Sequence, residues 1–285
     1  MPSPNELFTL PDDTPRSSET NVNIAGILVH LYGVKELTLA QAQDTTVLFT
    51  VHGRTRSYKD SEQIAHQLLH SLGKKGHSRG LVIATFDNRN HGIRKIDDLS
   101  IHAWDKGNAK HAQDMLSMID GISTDIQTIM TYLESYVCDL FTPTQYIASG
   151  VSLGGHVVWN LLAEDARIQV GIPIVGCPDL TSLLINRLGN YTSVNQIPDG
   201  TKEWPKSIEK LYALRDARVA AISSKKVLVL NGAVDRLVPD KFTKPWTEKY
   251  AANNDVKYIV QTDTGHFVSW QMMDEIREWL APFLN

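Results

Sequence analysis

Short, almost wholly apolar runs alternate along this chain with longer stretches whose apolar residues recur every three or four positions. TTVLFTVHG (45–53), GLVIATFDNRNHG (80–92), TQYIASGVS (144–152), VGIPIVGCPDL (170–180), KKVLVLNGAVD (225–235) and VKYIVQTDTGH (256–266) open as strands buried on both faces should. Helical periods lie between them. SEQIAHQLLHSLG puts Ile64, Leu68, Leu69 and Leu72 on one face with Ser61 as N-cap, and Ile126, Ile129, Met130, Leu133 and Val137 mark another helix. LGGHVVWNLLAED, residues 241–251 and a closing segment with Trp270, Met273, Ile276, Trp279 and Leu280 supply the rest. Such alternation predicts right-handed crossovers and an α/β domain on a mostly parallel sheet with helices on both faces. VNIAGILVHLYG (22–33) alternates weakly and contains glycines, as an antiparallel strand at a sheet edge does.

Two segments depart from the pattern. Residues 1–20 are rich in Pro, Ser, Asp and Thr and have no hydrophobic period, so a loosely held arm is expected there, with one α/β domain over 21–285. Residues 181–224 hold TSLLINRL, a Gly/Pro-rich bridge and KSIEKLYALRDARVAAI, in which Ile208, Leu211, Leu214 and Val219 mark an apolar helix face. An insertion of that length between core strands is expected to act as a lid or pocket wall. Trp104, Tyr191, Trp204 and Trp246 fall in loop or lid regions, where aromatics can line an apolar acyl pocket.

Composition narrows the partners. The 285 residues are 42% hydrophobic and 21% charged, enough for a sizeable core, and the net charge of -4 leaves no basic field for nucleic acid or anionic lipid. Cys138 and Cys177 belong to no CxxC or Cys/His cluster, which argues against a disulfide framework or a structural zinc site. No secretory pattern opens the chain and no apolar run approaches a membrane span, so a cytoplasmic location is expected. His102, Asp105, His111 and Asp114 match no metal-binding spacing and are read as a polar loop; no metal site is expected.

The chemistry centres on GVSLG (150–154), which falls between an apolar strand and an amphipathic helix. Glycines such as Gly150 and Gly154 let the strand turn sharply into the helix, and such a corner lifts Ser152 above the sheet as a nucleophile elbow would. A serine hydroxyl needs a base within reach and donors for the oxyanion it creates. Asp235 follows one later strand and His266 the next, in the order Ser, Asp, His. The oxyanion donors are then the N–H of Leu153 and one from the loop after the first central strand, His52-Gly53-Arg54, assigned to Arg54 with Gly53 as the alternative. Arg89 and His91 are expected to hold the active-site loops rather than to react.

These motifs and their order resemble the α/β-hydrolase superfamily over nearly the whole chain from about Val22 to Leu284. DNRNHG (87–92) is similar to the D-x-R-G-H-G loop of small single-domain esterases related to the prolyl oligopeptidase and dienelactone hydrolase groups, with Asn90 in place of a glycine. The resemblance implies a catalytic serine, an acyl-enzyme intermediate and no cofactor. The expected activity is hydrolysis of a carboxylic ester or thioester of a small to medium acyl group, on a small-molecule substrate. A small oligopeptidase-like peptidase, or a binding or non-hydrolytic role on the same fold, are the alternatives.

Overall fold

The computed structural model describes residues 3–74 and 76–285. Eight strands form one sheet in the order β1-β2-β4-β3-β5-β6-β7-β8. β1 (Glu19–Ile24) and β2 (Ile27–Tyr32) make an antiparallel hairpin at one edge, and β2 runs antiparallel to β4 (Gly80–Thr85). From β4 onward the neighbours are parallel: β3 (Thr45–Val51), β5 (Pro143–Val151), β6 (Ile168–Ile174), β7 (Lys226–Gly232) and β8 (Asp255–Gln261). All seven residues of β3 are buried, which is why its sequence shows no alternation.

The helices are α1 (Leu39–Gln43), α2 (Tyr58–Gly73), α3 (His111–Val137), α4 (Leu153–Glu164), α5 (Leu180–Gly189), α6 (Lys206–Ala220), α7 (Lys244–Tyr250) and α8 (Trp270–Leu280). Alternate side chains of the strands feed two apolar cores. Val47, Phe49 and Val51 face a core shared with α3, α4 and α6, whereas Leu48 faces one shared with α2 and α8. No described helix is long and apolar enough to cross a membrane.

Four expectations change. The N-cap of α2 is Ser57, not Ser61: Ser57 and Asp60 form a reciprocal capping box, and Ser61 is buried inside the helix. The stretch before β1 is not a loose arm over its described residues. Phe8 and Leu10 are buried, the Phe8 N–H donates to Val268 O at 2.8 Å, and the N–H groups of Trp270 and Gln271 donate to Glu6 O and Pro4 O. Two apolar side chains in a polar stretch make no period, yet they suffice to anchor it; Met1 and Pro2 lie outside the described residues.

The inward face of α6 is Ile208, Tyr212, Arg215 and Val219, while Leu211 and Leu214 are 53% and 59% exposed. Arg215 is buried because Asn160 Oδ1, Asp216 and the carbonyls of Pro178 and His156 satisfy its guanidinium, so a charged residue occupies a position that periodicity assigns to leucine. Residues 181–224 are likewise more than a lid, since α6 packs on α4 and completes the crossover from β6 to β7. Trp204 and Trp246 are buried, packed against Tyr212 and Trp159 respectively.

Candidate active site

The carboxyl end of β5 turns directly into α4 through Ser152, whose backbone sits at φ 57° and ψ -110°. A non-glycine residue in that region is strained by roughly 1–3 kcal/mol, and the surroundings hold it there. The Ser152 N–H donates to Ile174 O at 2.9 Å. A Cβ on Gly150 would come within 2.4 Å of the Gly154 backbone, and one on Gly154 within 2.1 Å of Val51 O. These two glycines therefore let helix and strand touch at the corner.

His266 reaches this corner from the loop after β8. Its Nε2 lies 2.7 Å from Ser152 Oγ, and its Nδ1 lies 2.7 Å from Asp235 Oδ2. Asp235 follows β7, its side chain fully enclosed, and its other oxygen accepts the N–H groups of Leu237 (2.8 Å) and Val238 (3.0 Å). Burial alone would raise the Asp235 carboxyl. The hydrogen bond and charge of His266, with the Leu237 and Val238 N–H groups, outweigh burial and hold it below the usual carboxylate range. Gly232 makes the crossing possible: a Cβ there would strike Thr264 O at 2.3 Å and Gly265 O at 2.5 Å, so the histidine loop passes directly over the end of β7.

The other expected residues gather on the β3 and β4 side. Gly53 faces the serine, since a Cβ built on it would lie 3.5 Å from Ser152 Cβ. The Leu153 N–H opens α4 and has no acceptor within the helix. His52 lends Nδ1 to Gly53 O at 2.8 Å, while its Nε2 accepts the Asn88 N–H at 3.0 Å. His91 accepts the Thr55 N–H at 3.1 Å through Nε2 and donates from Nδ1 to Arg89 O. The loop that carries Arg54 is thus pinned on both sides by neutral imidazoles; burial depresses both histidines, His52 to about 4. Arg89 pairs with Asp125 on α3 at 2.7 Å.

Asn90, which stands where the resembled loop has a glycine, adopts φ 60°, a left-handed conformation that glycine takes without strain. Its side chain repays the strain by accepting the N–H groups of Ile96 and Asp97, each at 2.8 Å. Periodicity missed Arg187 on α5, which donates to Leu237 O beside Asp235, and His111, whose Nδ1 lies 3.3 Å from Arg54 Nη1. Nothing in the local sequence of either residue signals these contacts. Among the described residues no cluster of three His, Cys, Asp or Glu side chains could hold a metal ion. A cavity of about 550 Å³ opens at the far, amino end of the parallel strands, between Gly33, Leu69, His77 and Leu81, away from Ser152, Asp235 and His266.

No family model matches the sequence, and no curated protein matches it. Solved structures match it in fold. TT1662 from Thermus thermophilus is 19% identical with a TM-score of 0.68, over 95% of this chain and 99% of that one. The esterase Pf2001 of Pyrococcus furiosus is 16% identical with a TM-score of 0.60, over 94% and 93%. An acylaminoacyl peptidase of Pyrococcus horikoshii is 12% identical with a TM-score of 0.63, over 94% of this chain but 41% of that one. The mostly parallel eight-stranded sheet and these neighbours define an α/β-hydrolase fold.

Proposed function

We propose that the protein is a serine hydrolase that cleaves a carboxylic ester or thioester of a small to medium acyl group. The observation that carries this reading is the unbroken line Asp235–His266–Ser152, with both links at 2.7 Å and the serine on a strained corner. Ser152 Oγ attacks the acyl carbon while His266 Nε2 takes its proton, and Asp235 fixes the ring and stabilises the imidazolium. The oxyanion of the tetrahedral intermediate lies against the N–H groups of Leu153 and Arg54, the Arg54 loop being steadied by His52 and His91. His266 returns the proton to the leaving group, and water, activated by the same imidazole, releases the acid.

An ester is favoured over a peptide because the matched Pf2001 is an esterase whose length this chain nearly spans, whereas the matched peptidase is more than twice as long. Purified protein should hydrolyse p-nitrophenyl esters of short acids, label at Ser152 with a fluorophosphonate, and leave aminoacyl anilides intact. Ser152→Ala should lower ester turnover about 10⁴-fold or more without changing the circular dichroism. Full activity in that variant overturns the reading, and anilide hydrolysis exceeding ester hydrolysis moves it to a peptidase.

A further inference from the structure

Two guanidiniums, one on the loop whose Gly53 faces Ser152 and one bonded to the loop that carries Asp235, lack an acidic partner. Arg54 follows Gly53, which faces the Ser152 side chain, and its Nη1 touches His111 Nδ1. Arg187, on the last turns of α5, donates from Nε and Nη2 to Leu237 O, in the loop whose N–H groups hold Asp235. Among the described residues neither forms an ion pair within 4 Å, whereas Arg89 and Arg94 share Asp125 and buried Arg215 pairs with Asp216. Neither guanidinium meets a carboxylate; enclosed Lys225, by comparison, is met by the carbonyls of Asp165 and Ile168.

They are also near enough to oppose each other. Burial, and then the charge of Arg187, bring Arg54 down to about 10; burial and the charges of Arg54 and Arg187 press His111 to about 3, so it adds no third charge. The acids that face the pair do not neutralise it: Asp105 is exposed and beyond ion-pair distance of Arg54, and Asp235 is committed to His266. Two buried polar atoms of the same cluster, His111 Nε2 and Trp104 Nε1, have no hydrogen-bond partner, and their rings pack edge to face at 4.8 Å. Like charges held together away from water without a counter-ion are costly, and a guanidinium is the group best shaped to take a carboxylate.

We propose that Arg54 and Arg187 recognise a carboxylate on the substrate, so that this site takes esters or thioesters carrying a negative charge on the acyl or the alcohol side. The inference rests on the hydrolase reading and names its substrate class. Arg54 enters from the loop after β3 and Arg187 from the insertion after β6, so the specificity exists only once α5 lies beside the triad. Arg187 acts here as a specificity residue; its bond to Leu237 O aims the guanidinium.

The test compares p-nitrophenyl butyrate with mono-p-nitrophenyl glutarate, charged on the acyl side, and 4-carboxyphenyl butyrate, charged on the alcohol side. One charged ester should exceed the neutral one by about tenfold or more in kcat/KM, chiefly through KM, with the advantage shrinking as salt rises. Arg187→Gln should erase most of that ratio and Arg187→Lys keep part of it, so a merely structural loss, which lowers all esters alike, is distinguishable. Lys at this position serves as the test if the Gln variant fails to fold. Glutarate should raise the melting temperature of the Ser152→Ala protein, and less so when Arg187→Gln is added. If glutarate binds through Arg187 but no ester is cleaved, the hydrolase reading fails and the anion site stands. Ester cleavage that ignores charge, with no glutarate effect on melting, overturns the anion site alone.

Discussion

His266 and His52 each stand just past a strand of one sheet, and each uses both ring nitrogens. His266 spans a carboxylate, which can hold and stabilise an imidazolium, and a hydroxyl, which can give a proton to it. His52 spans the Gly53 carbonyl and the Asn88 N–H, which cannot. Its tautomer is consequently fixed, and burial holds it neutral down to about pH 4. The same residue type thus bridges a hydroxyl and a carboxylate at the ends of β5, β7 and β8, and pins loops at the ends of β3 and β4. Partners decide the role, and partners are a property of the fold.

The sharpest way to break this contrast is to spoil the partner and keep the ring. Asp235→Asn should lower kcat/KM by about 10⁴-fold, because the amide favours the wrong His266 tautomer, while the melting temperature stays near that of the parent. A loss below about tenfold in ester hydrolysis would place His266 in the supporting class with His52.

His52→Ala should behave oppositely. It strands the buried Asn88 N–H and the Gly53 carbonyl, so denaturant unfolding should report a loss of roughly 2–4 kcal/mol, while activity falls far less than in Asp235→Asn. Activity lost as completely as in Asp235→Asn, at unchanged stability, would show His52 to be reactive.

The smallest step is a pH titration of stability. His52, His111 and His156 are all depressed by burial, with the charge of Arg54 or Arg215 adding to the effect on the latter two. Their folded values lie below the unfolded value near 6.5, so the unfolded chain binds more protons as pH falls. The stability they contribute is fully present above about pH 6.5 and is lost toward pH 4, by up to about 1.4 kcal/mol per pH unit for each. Urea midpoints that stay flat from pH 7 to 4.5 would mean that these rings are protonated inside the folded protein.

Much of this site is visible in the sequence because its parts mark strand ends. An apolar run followed by a glycine and a polar residue reads as a strand meeting its loop, and GVSLG, GAVD and TGH follow three such runs in the order the chemistry needs. His91 was legible as a loop-holding residue through its place in DNRNHG, although its target, the Thr55 N–H, was not. Features that depend on distant partners left no period to read. Arg215 takes an inward position on α6 because residues from α4 and the β6–α5 loop meet it there, and Phe8 is buried only because the segment before α8 lies beside it.

By itself the sequence determined the alternation of buried strands and amphipathic helices, the corner at Ser152 and the chain order of serine, acid and base. Local periodicity and glycine placement carry that information, because a strand buried on two faces and a turn without Cβ clashes impose their residue types directly. The tertiary structure alone decided which histidine meets a carboxylate, which face of α6 turns inward, and that Arg187 meets the loop carrying Asp235. Those outcomes depend on distances of a few ångströms between segments tens of residues or more apart, and only a packed sheet sets such distances.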